Sequence, residues 1–450
     1  MALWGLMFGF GEVAMHSFEA LFTALCIVLF HRLAATFVAQ RAVWLTGLLV
    51  LGPAFLVKQN VMLDVPLLAC ILGFLDRLIG ALQQGSTRKL FQAALVLTVG
   101  VFVKYTMLAL FPLLPFVAWR LRGRAWLAVL VPLVAVAAWS AWNQQEFAFT
   151  HILGRSVSGF STDGLGNRMV TWIMTLGAIA PWLFAGFLAP WSRWAQRSVW
   201  FVLSTCTAFI GFAWFGTVGT EVTDRVLLIV FLINGTLGLG TLIATNKHGD
   251  PGSRDVRQVL IIGIGSLAVF IILFAPWMAT RHLLLVLPML LLLVAKGLAH
   301  LPQLVRHFLL LCTAVLGIAL AISDRQVAAF YRDSASLIAR EHRGHAIWYG
   351  GSLGWGYYAA QAGMQDFSSH AVPDFAPGDI VAQPLDFMVP GIPEHVRAVP
   401  LDTVIQVLDR RDRFSTRRWL RFYSARYPDI PWSVDKELPE RICLSKIMPY

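Results

Sequence analysis

Charge is scarce in this chain. Only 14% of its 450 residues are Asp, Glu, Lys or Arg, where a soluble domain carries about 25%. The shortage falls hardest on the acids, 25 against 36 bases. With 57% hydrophobic residues and a mean hydropathy of +0.67, an ordinary water-soluble globule is excluded. Cysteine is scarce too: of five, Cys26, Cys70, Cys206 and Cys312 sit inside apolar runs, which excludes a disulfide framework. The eleven histidines are scattered without close ligand spacing, and the His342 and His345 pair reads as surface, so no metal site follows. A convincing nucleotide loop is lacking as well. The GIGS run from Gly263 to Ser266 lies within an apolar span, where small residues serve helix packing.

What the chain has in abundance is apolar runs near the length of a bilayer crossing. Twelve spans are expected, over residues 15–31, 41–57, 64–80, 90–103, 105–119, 125–142, 168–190, 199–216, 224–244, 258–275, 281–296 and 307–322. Beyond them the text turns mixed and polar. The expected division is therefore a polytopic membrane part, 1–322, and a soluble part, 323–450. The first holds 21 bases against 10 acids and the second 15 against 15, so the whole +11 excess belongs to the membrane part. A basic balance of that origin speaks of topology and not of nucleic acid.

Topology follows from where the bases stand. Arg88 and Lys89 precede the tract from Leu90 to Arg120, and Arg120, Arg122 and Arg124 follow it, so both flanks belong in the cytoplasm. The tract must go out and return, turning at Lys104 and Tyr105. With that parity fifteen bases fall in cytoplasmic connections and six outside: Lys58, Lys104, Arg155, Arg168, Arg225 and Arg281. The soluble part then lies on the non-cytoplasmic side.

Those outer bases want a reason. A Lys or Arg at headgroup depth is well placed to hold a lipid phosphate, although one that snorkels to water looks the same in sequence. Lys104 stands at a tight turn between two short spans. Asp64 heads the span opening Val65–Pro66, where an N-cap role would also explain it. In the outer connection from Asn143 to Arg168, Glu146, His151 and Arg155 stand five and four residues apart. His151 and Arg155 could share one face of a short helix, and Arg suits a phosphate through forked hydrogen bonds; a solvated polar loop is the plainer alternative. Arg281 and His282 open another span on the same side, where helix-end anchoring is the alternative.

Several stretches together resemble a known family. AMHSFEALFTALCIVLFHRLAATFV, VMLDVPLLACILGFL and GVFVKYTMLALFPLLPF with a basic turn after it are similar, in this order, to the membrane glycosyltransferases of the protein-mannosyltransferase and lipid A aminoarabinose-transferase type, whose fold is called GT-C. EFAFTHILGR resembles the family's outer loop with His and Arg. PWMATRHLLLVLPMLLLLVAKGL resembles its late helix, with His282 where Tyr is usual. The likeness covers roughly residues 8 to 300.

The resemblance implies an all-α polytopic bundle of the GT-C type, to which the tail adds, on the reading of its own residues, a small C-terminal α/β domain. It further implies transfer of a sugar, with inversion, from a polyprenyl-phosphate-linked donor to a lipid, glycan or protein acceptor at the outer face of the cytoplasmic membrane. Such chemistry needs a general base for the acceptor and a cationic pocket for the departing lipid phosphate. Asp64, Lys104, Tyr105, Glu146, His151, Arg155, Arg281 and His282 are the expected binding residues. No cofactor follows from the residues, and the resemblance leaves room for a divalent ion.

One departure stands out. Family members begin with an additional span and a large outer loop bearing the catalytic acid, whereas MALWGLMFGFGEVAMHSFEA resembles the end of that loop. Three expectations follow: a start beyond the true one, a base moved to Glu12, Asp64 or Glu146, or a non-catalytic relative that partners an intact transferase. The catalytic residue therefore stays open. A transporter or flippase of lipid-linked sugars is the rival class, but it should place ionisable groups at midplane between paired broken helices; here the unusual charges cluster on one face.

In the tail, AIWYGG and GDIVAQP read as strands and GWGYYAAQAGM as a helix with glycine near its end. LDTVIQVLDRRDRF reads as helical, and WLRFYSARY as a strand or a helix.

Overall fold

The computed structural model describes residues 2–57, 61–150, 164–188, 203–205, 207–208, 222–244, 251–275, 278–351, 353–367, 374–385, 391–393, 396–406, 422–423, 430–434 and 440–449. Two compact units divide the chain: residues 1–318 with 421–431, and residues 319–420 with 432–450.

The first unit is helical. Among the described residues six helical stretches are long and apolar enough to cross a membrane, over 12–50, 64–84, 123–147, 222–240, 254–274 and 303–341. The twelve expected spans are not reproduced, and local chemistry explains most of the difference. The expected span 41–57 is two short helices, Ala42–Val50 and Pro53–Leu56, parted before Pro53; proline has no N–H with which to continue a ladder. The tract from Leu90 to Arg120 leaves its helix after Val103, where Lys104 takes extended backbone, and resumes as a 3-10 turn, Tyr105–Leu110, and a helix, Leu113–Leu121. The expected span 281–296 becomes Thr280–Leu284 and Leu287–Ala299, again parted ahead of a proline, Pro288. Most of 199–216 lies outside the described residues.

The expected span 168–190 breaks at Ala180 into Leu165–Ile179 and Leu183–Leu188. Pro181 lacks the N–H that would have bonded Gly177 O one turn back, so that carbonyl needs another donor in surroundings without water. Asn234, buried in the helix Val222–Ala244, supplies it: its Nδ2 donates to Gly177 O at 2.7 Å and to Ala180 O at 3.0 Å. Leu183 N also donates to Ala180 O, so Gly177 O is the group that depends on Asn234. Asn234→Leu should therefore cost about 1–3 kcal/mol, the usual penalty for orphaning one buried polar group. Thermal unfolding in detergent would read it, and an unchanged midpoint would show that the carbonyl has another partner.

Polar pairs mark the two ends of the bundle. Helices Glu12–Val38 and Asp64–Gln84 run in the same direction: Glu19 and Asp64 lie near their starts, while Arg32 bonds Asp76 at 3.4 Å further along. The offsets agree, thirteen residues on one helix and twelve on the other, each about 18–20 Å of rise. Arg77 joins the Asp76 end at 3.7 Å, and Arg120 reaches Asp255 at 3.1 Å. At the far end of Asp255's helix, Pro251–Phe274, the Arg168 guanidinium donates to Ile272 O and Leu273 O. A cation is favourable there because the last carbonyls of a helix have no internal partners.

The second unit is built on a five-stranded sheet: β1 Ile347–Tyr349, β2 Gln365–Asp366, β3 Ile380–Pro384, β4 Ala398–Ile405 and β5 Arg441–Ile447, ordered β2-β1-β3-β5-β4. β1 is parallel to β2 and β3; β5 is antiparallel to β3 and β4. The helix Leu353–Gln361 makes the crossover from β1 to β2, and Gly363 follows it with positive φ. Ile347, Tyr349, Ile380, Ala382, Ile442 and Leu444 share one buried cluster with Tyr331, Ala335 and Ile338 of the helix Gln303–Glu341. Burial pushes the Tyr349 phenol up from its ordinary value, with Asp366 adding to the effect, so it stays protonated. In that cluster Tyr331 donates its hydroxyl to the buried Glu440 carboxylate.

One expectation for the tail is overturned. The start of LDTVIQVLDRRDRF is not helical: Leu401 to Ile405 belong to β4, paired with β5. Thr403, Val404 and Ile405 are β-branched and suit a pleated edge, and the partner strand, RICLSKI, supplies the ladder. Residues 407–421 lie outside the described residues, as does most of WLRFYSARY.

Candidate functional site

Asp64 is the first residue of its helix, and its carboxylate does not cap that helix. Leu63 occupies the N-cap without a side-chain hydrogen bond. The Asp64 Oδ1 instead lies 2.6 Å from the Lys104 ammonium. A charge-assisted bond of that length is stronger than a neutral cap bond, and the alternative of a capping role for Asp64 is not observed. The pair is lopsided: the Asp64 side chain is 3% exposed and that of Lys104 is 29%. An ammonium has three donors and Asp64 takes one, so Lys104 keeps donors for a second anion on its open side.

Next to Lys104, the Tyr105 hydroxyl accepts from Trp139 Nε1 at 3.2 Å, which ties the turn to the helix Leu127–Phe147. Trp139 packs against Phe102 and Trp142. Tyr105 can still donate its own proton, because the indole uses only the oxygen's lone pair.

Arg281 approaches from the late part of the chain. Thr280 fixes its helix by donating both its N–H and its hydroxyl to Phe422 O, at 3.2 and 2.9 Å. The Arg281 Nη1 points at Met62 Sδ, 3.4 Å away, while its Nε is buried without a hydrogen-bond partner among the described residues. Sulfur is a weak acceptor, so this guanidinium retains donor capacity for an anion. His282 accepts from Ala279 N through Nδ1 at 3.3 Å, an interaction that steadies the start of the helix.

Glu19 is the residue that sequence reasoning missed. It lies in the apolar run HSFEALFTAL and is 1% exposed. Its Oε1 accepts from Met62 N at 3.1 Å, and its Oε2 is buried without a hydrogen-bond partner among the described residues. A lone acid four residues inside the expected span 15–31 was the available signal.

The expected site residues therefore divide. Asp64, Lys104, Tyr105 and Arg281 come to one region with Glu19 and Met62, contributed by stretches far apart in sequence. Glu146 does not join them: it is exposed on the last turn of Leu127–Phe147 and makes no ion pair with a described residue. His151 and Arg155 lie outside the described residues, as does Lys58. The region sets a part-exposed Lys104 ammonium and the Arg281 guanidinium beside two buried carboxylates, Asp64 and Glu19, and cationic donors with unused capacity suit an anion.

No family model matches the chain, and no curated protein matches it. Two solved structures are similar, both of ArnT from Cupriavidus metallidurans. The structure bound to undecaprenyl phosphate gives a TM-score of 0.39 and the apo structure 0.36. In each case identity is 16% and the match covers 85% of this chain and 81% of the other.

Proposed function

We propose that this chain transfers a sugar from a polyprenyl-phosphate-linked donor to a lipid, glycan or protein acceptor at the outer face of the cytoplasmic membrane. The observation that carries the reading is the half-open Asp64–Lys104 pair together with Arg281, whose Nε has no partner among the described residues. Both cations would grip the carrier phosphate. They hold it in the ground state and, as the glycosyl bond breaks, take up the negative charge that grows on the departing phosphate. Asp64 keeps Lys104 oriented toward that phosphate. Its bonded carboxylate is poorly suited to remove an acceptor proton, so the general base is left unassigned.

The order of motifs along residues 8–300 supports the same reading, as does the gathering of Lys104 and Arg281 at the end of the bundle opposite Arg32, Asp76 and Arg77. In this reading His151 and Arg155 reach the phosphate from their loop, Tyr105 gives its hydroxyl proton to the donor, and the soluble part, 323–450, lies on the extracytoplasmic side.

Undecaprenyl phosphate is the direct probe. The purified chain in nanodiscs should bind it, and Arg281→Ala should weaken binding by roughly tenfold, the loss expected for one charge-assisted contact. Native mass spectrometry across a lipid titration would measure the change. Binding that is equal in the native chain and the Arg281→Ala variant would remove Arg281 from the phosphate grip.

A further inference from the structure

We propose that Glu19 is a positioning residue: by holding Met62 it sets the spacing between the two cations, Lys104 and Arg281, that would grip the carrier phosphate. The inference rests on the reading of those cations as phosphate-binding groups. It is carried by the geometry of the turn ahead of Asp64. The Asp64–Gln84 helix starts without a side-chain cap, Leu63 at the N-cap position making no such bond. Leu63 O receives Leu67 N from the first turn at 3.0 Å, whereas the Met62 N–H, one residue earlier, finds its partner on another helix. Glu19 holds the chain just ahead of the N-cap residue from another helix, its Oε1 accepting from Met62 N at 3.1 Å.

Met62 and Asp64 are the two points at which the cations are fastened. Arg281 Nη1 lies 3.4 Å from Met62 Sδ, and Lys104 Nζ lies 2.6 Å from Asp64 Oδ1. Two residue steps separate these anchors, about 7 Å of chain at most, a span that one phosphate group and its bridging oxygens can bring together. Freeing Met62 would let one anchor drift relative to the other. Phosphate affinity would then fall while both cations remained in the protein. A buried acid in an apolar helix is expensive to keep, and a filler role does not call for one.

Two variants separate positioning from packing. Glu19→Met fills the same volume without an acceptor; Glu19→Gln keeps an oxygen for Met62 N. Three readouts are taken on the full chain in nanodiscs: amide exchange at Met62, the thermal midpoint, and binding of undecaprenyl phosphate. In Glu19→Met, exchange at Met62 should quicken and affinity should fall, each by roughly tenfold, with the midpoint held or raised. Glu19→Gln should recover both to within about threefold of the native values. A merely structural role would make affinity track the midpoint, which would overturn the proposal. So would a native rate of Met62 exchange in Glu19→Met, or a Glu19→Gln variant as impaired as Glu19→Met. If the native chain binds carrier and Glu19→Met binds it equally well, the positioning role alone fails. If the native chain binds no carrier, the phosphate reading fails and takes this proposal with it.

Discussion

Lys104→Met should lower the thermal midpoint of the purified chain and remove its binding of undecaprenyl phosphate. The Asp64 carboxylate is almost fully buried and has the Lys104 ammonium at 2.6 Å. Taking away one partner of a buried ion pair leaves the other uncompensated, at a cost of about 3–5 kcal/mol. The energetic and functional roles can then be separated with a second substitution. In Asp64→Asn/Lys104→Met the amide needs no counter-charge, so most of the lost stability should return. Carrier binding should stay absent, because the ammonium that meets the phosphate is still missing. A Lys104→Met chain within about 0.5 kcal/mol of the native one, the range of an ordinary surface change, would contradict a buried pair. A double variant that binds carrier like the native chain would remove Lys104 from the site.

Gly177→Ala should destabilise the bundle comparably, for a different reason. The helices Leu165–Ile179 and Val222–Ala244 approach until their backbones touch at Gly177 and Gly235. A methyl group on Gly177 would overlap Phe231 O and lie 2.7 Å from Gly235 N, and one on Gly235 would overlap Ile173 O. Backbone atoms cannot rotate aside as a side-chain tip can, so the helices must separate. Separation also lengthens the Asn234 bonds to Gly177 O and Ala180 O. Overpacking alone costs about 1–3 kcal/mol and sometimes more, and the orphaned carbonyl adds about 1–3 kcal/mol. Gly235→Ala should behave alike, and the two substitutions should be less than additive because each opens the same contact. A native midpoint in either single variant would mean that the backbones do not meet there. In apolar surroundings such small-residue contacts take the place of hydrophobic burial as the force between helices.

Several elements were legible in the sequence because their causes are local. Apolar length identifies membrane helices wherever a run is unbroken, as in Asp64–Gln84 and in Val222–Ala244. A base inside a long apolar tract signalled the turn after Val103. Buried alternatives of strand and helix in the tail were separable where glycine punctuates them, as after Tyr349, but LDTVI was misread because its state depends on a partner strand forty residues away. The expected spans and the observed helices do not match one for one where proline divides an apolar run, since hydropathy registers Pro53, Pro181 and Pro288 only faintly.

For the site, the sequence by itself determined which charges were anomalous: Asp64, Lys104 and Arg281 each stand where an apolar run should exclude them, and the cost of charge in lipid makes that visible without coordinates. Only the tertiary structure decided what those charges do. It joined Asp64 to Lys104 across forty residues, left Glu146 apart, and brought Glu19 and Arg281 to the two sides of Met62. The physical reason is that a lone charge reveals its cost along one chain, whereas its compensation comes from a group on another helix, and helix packing sets that meeting.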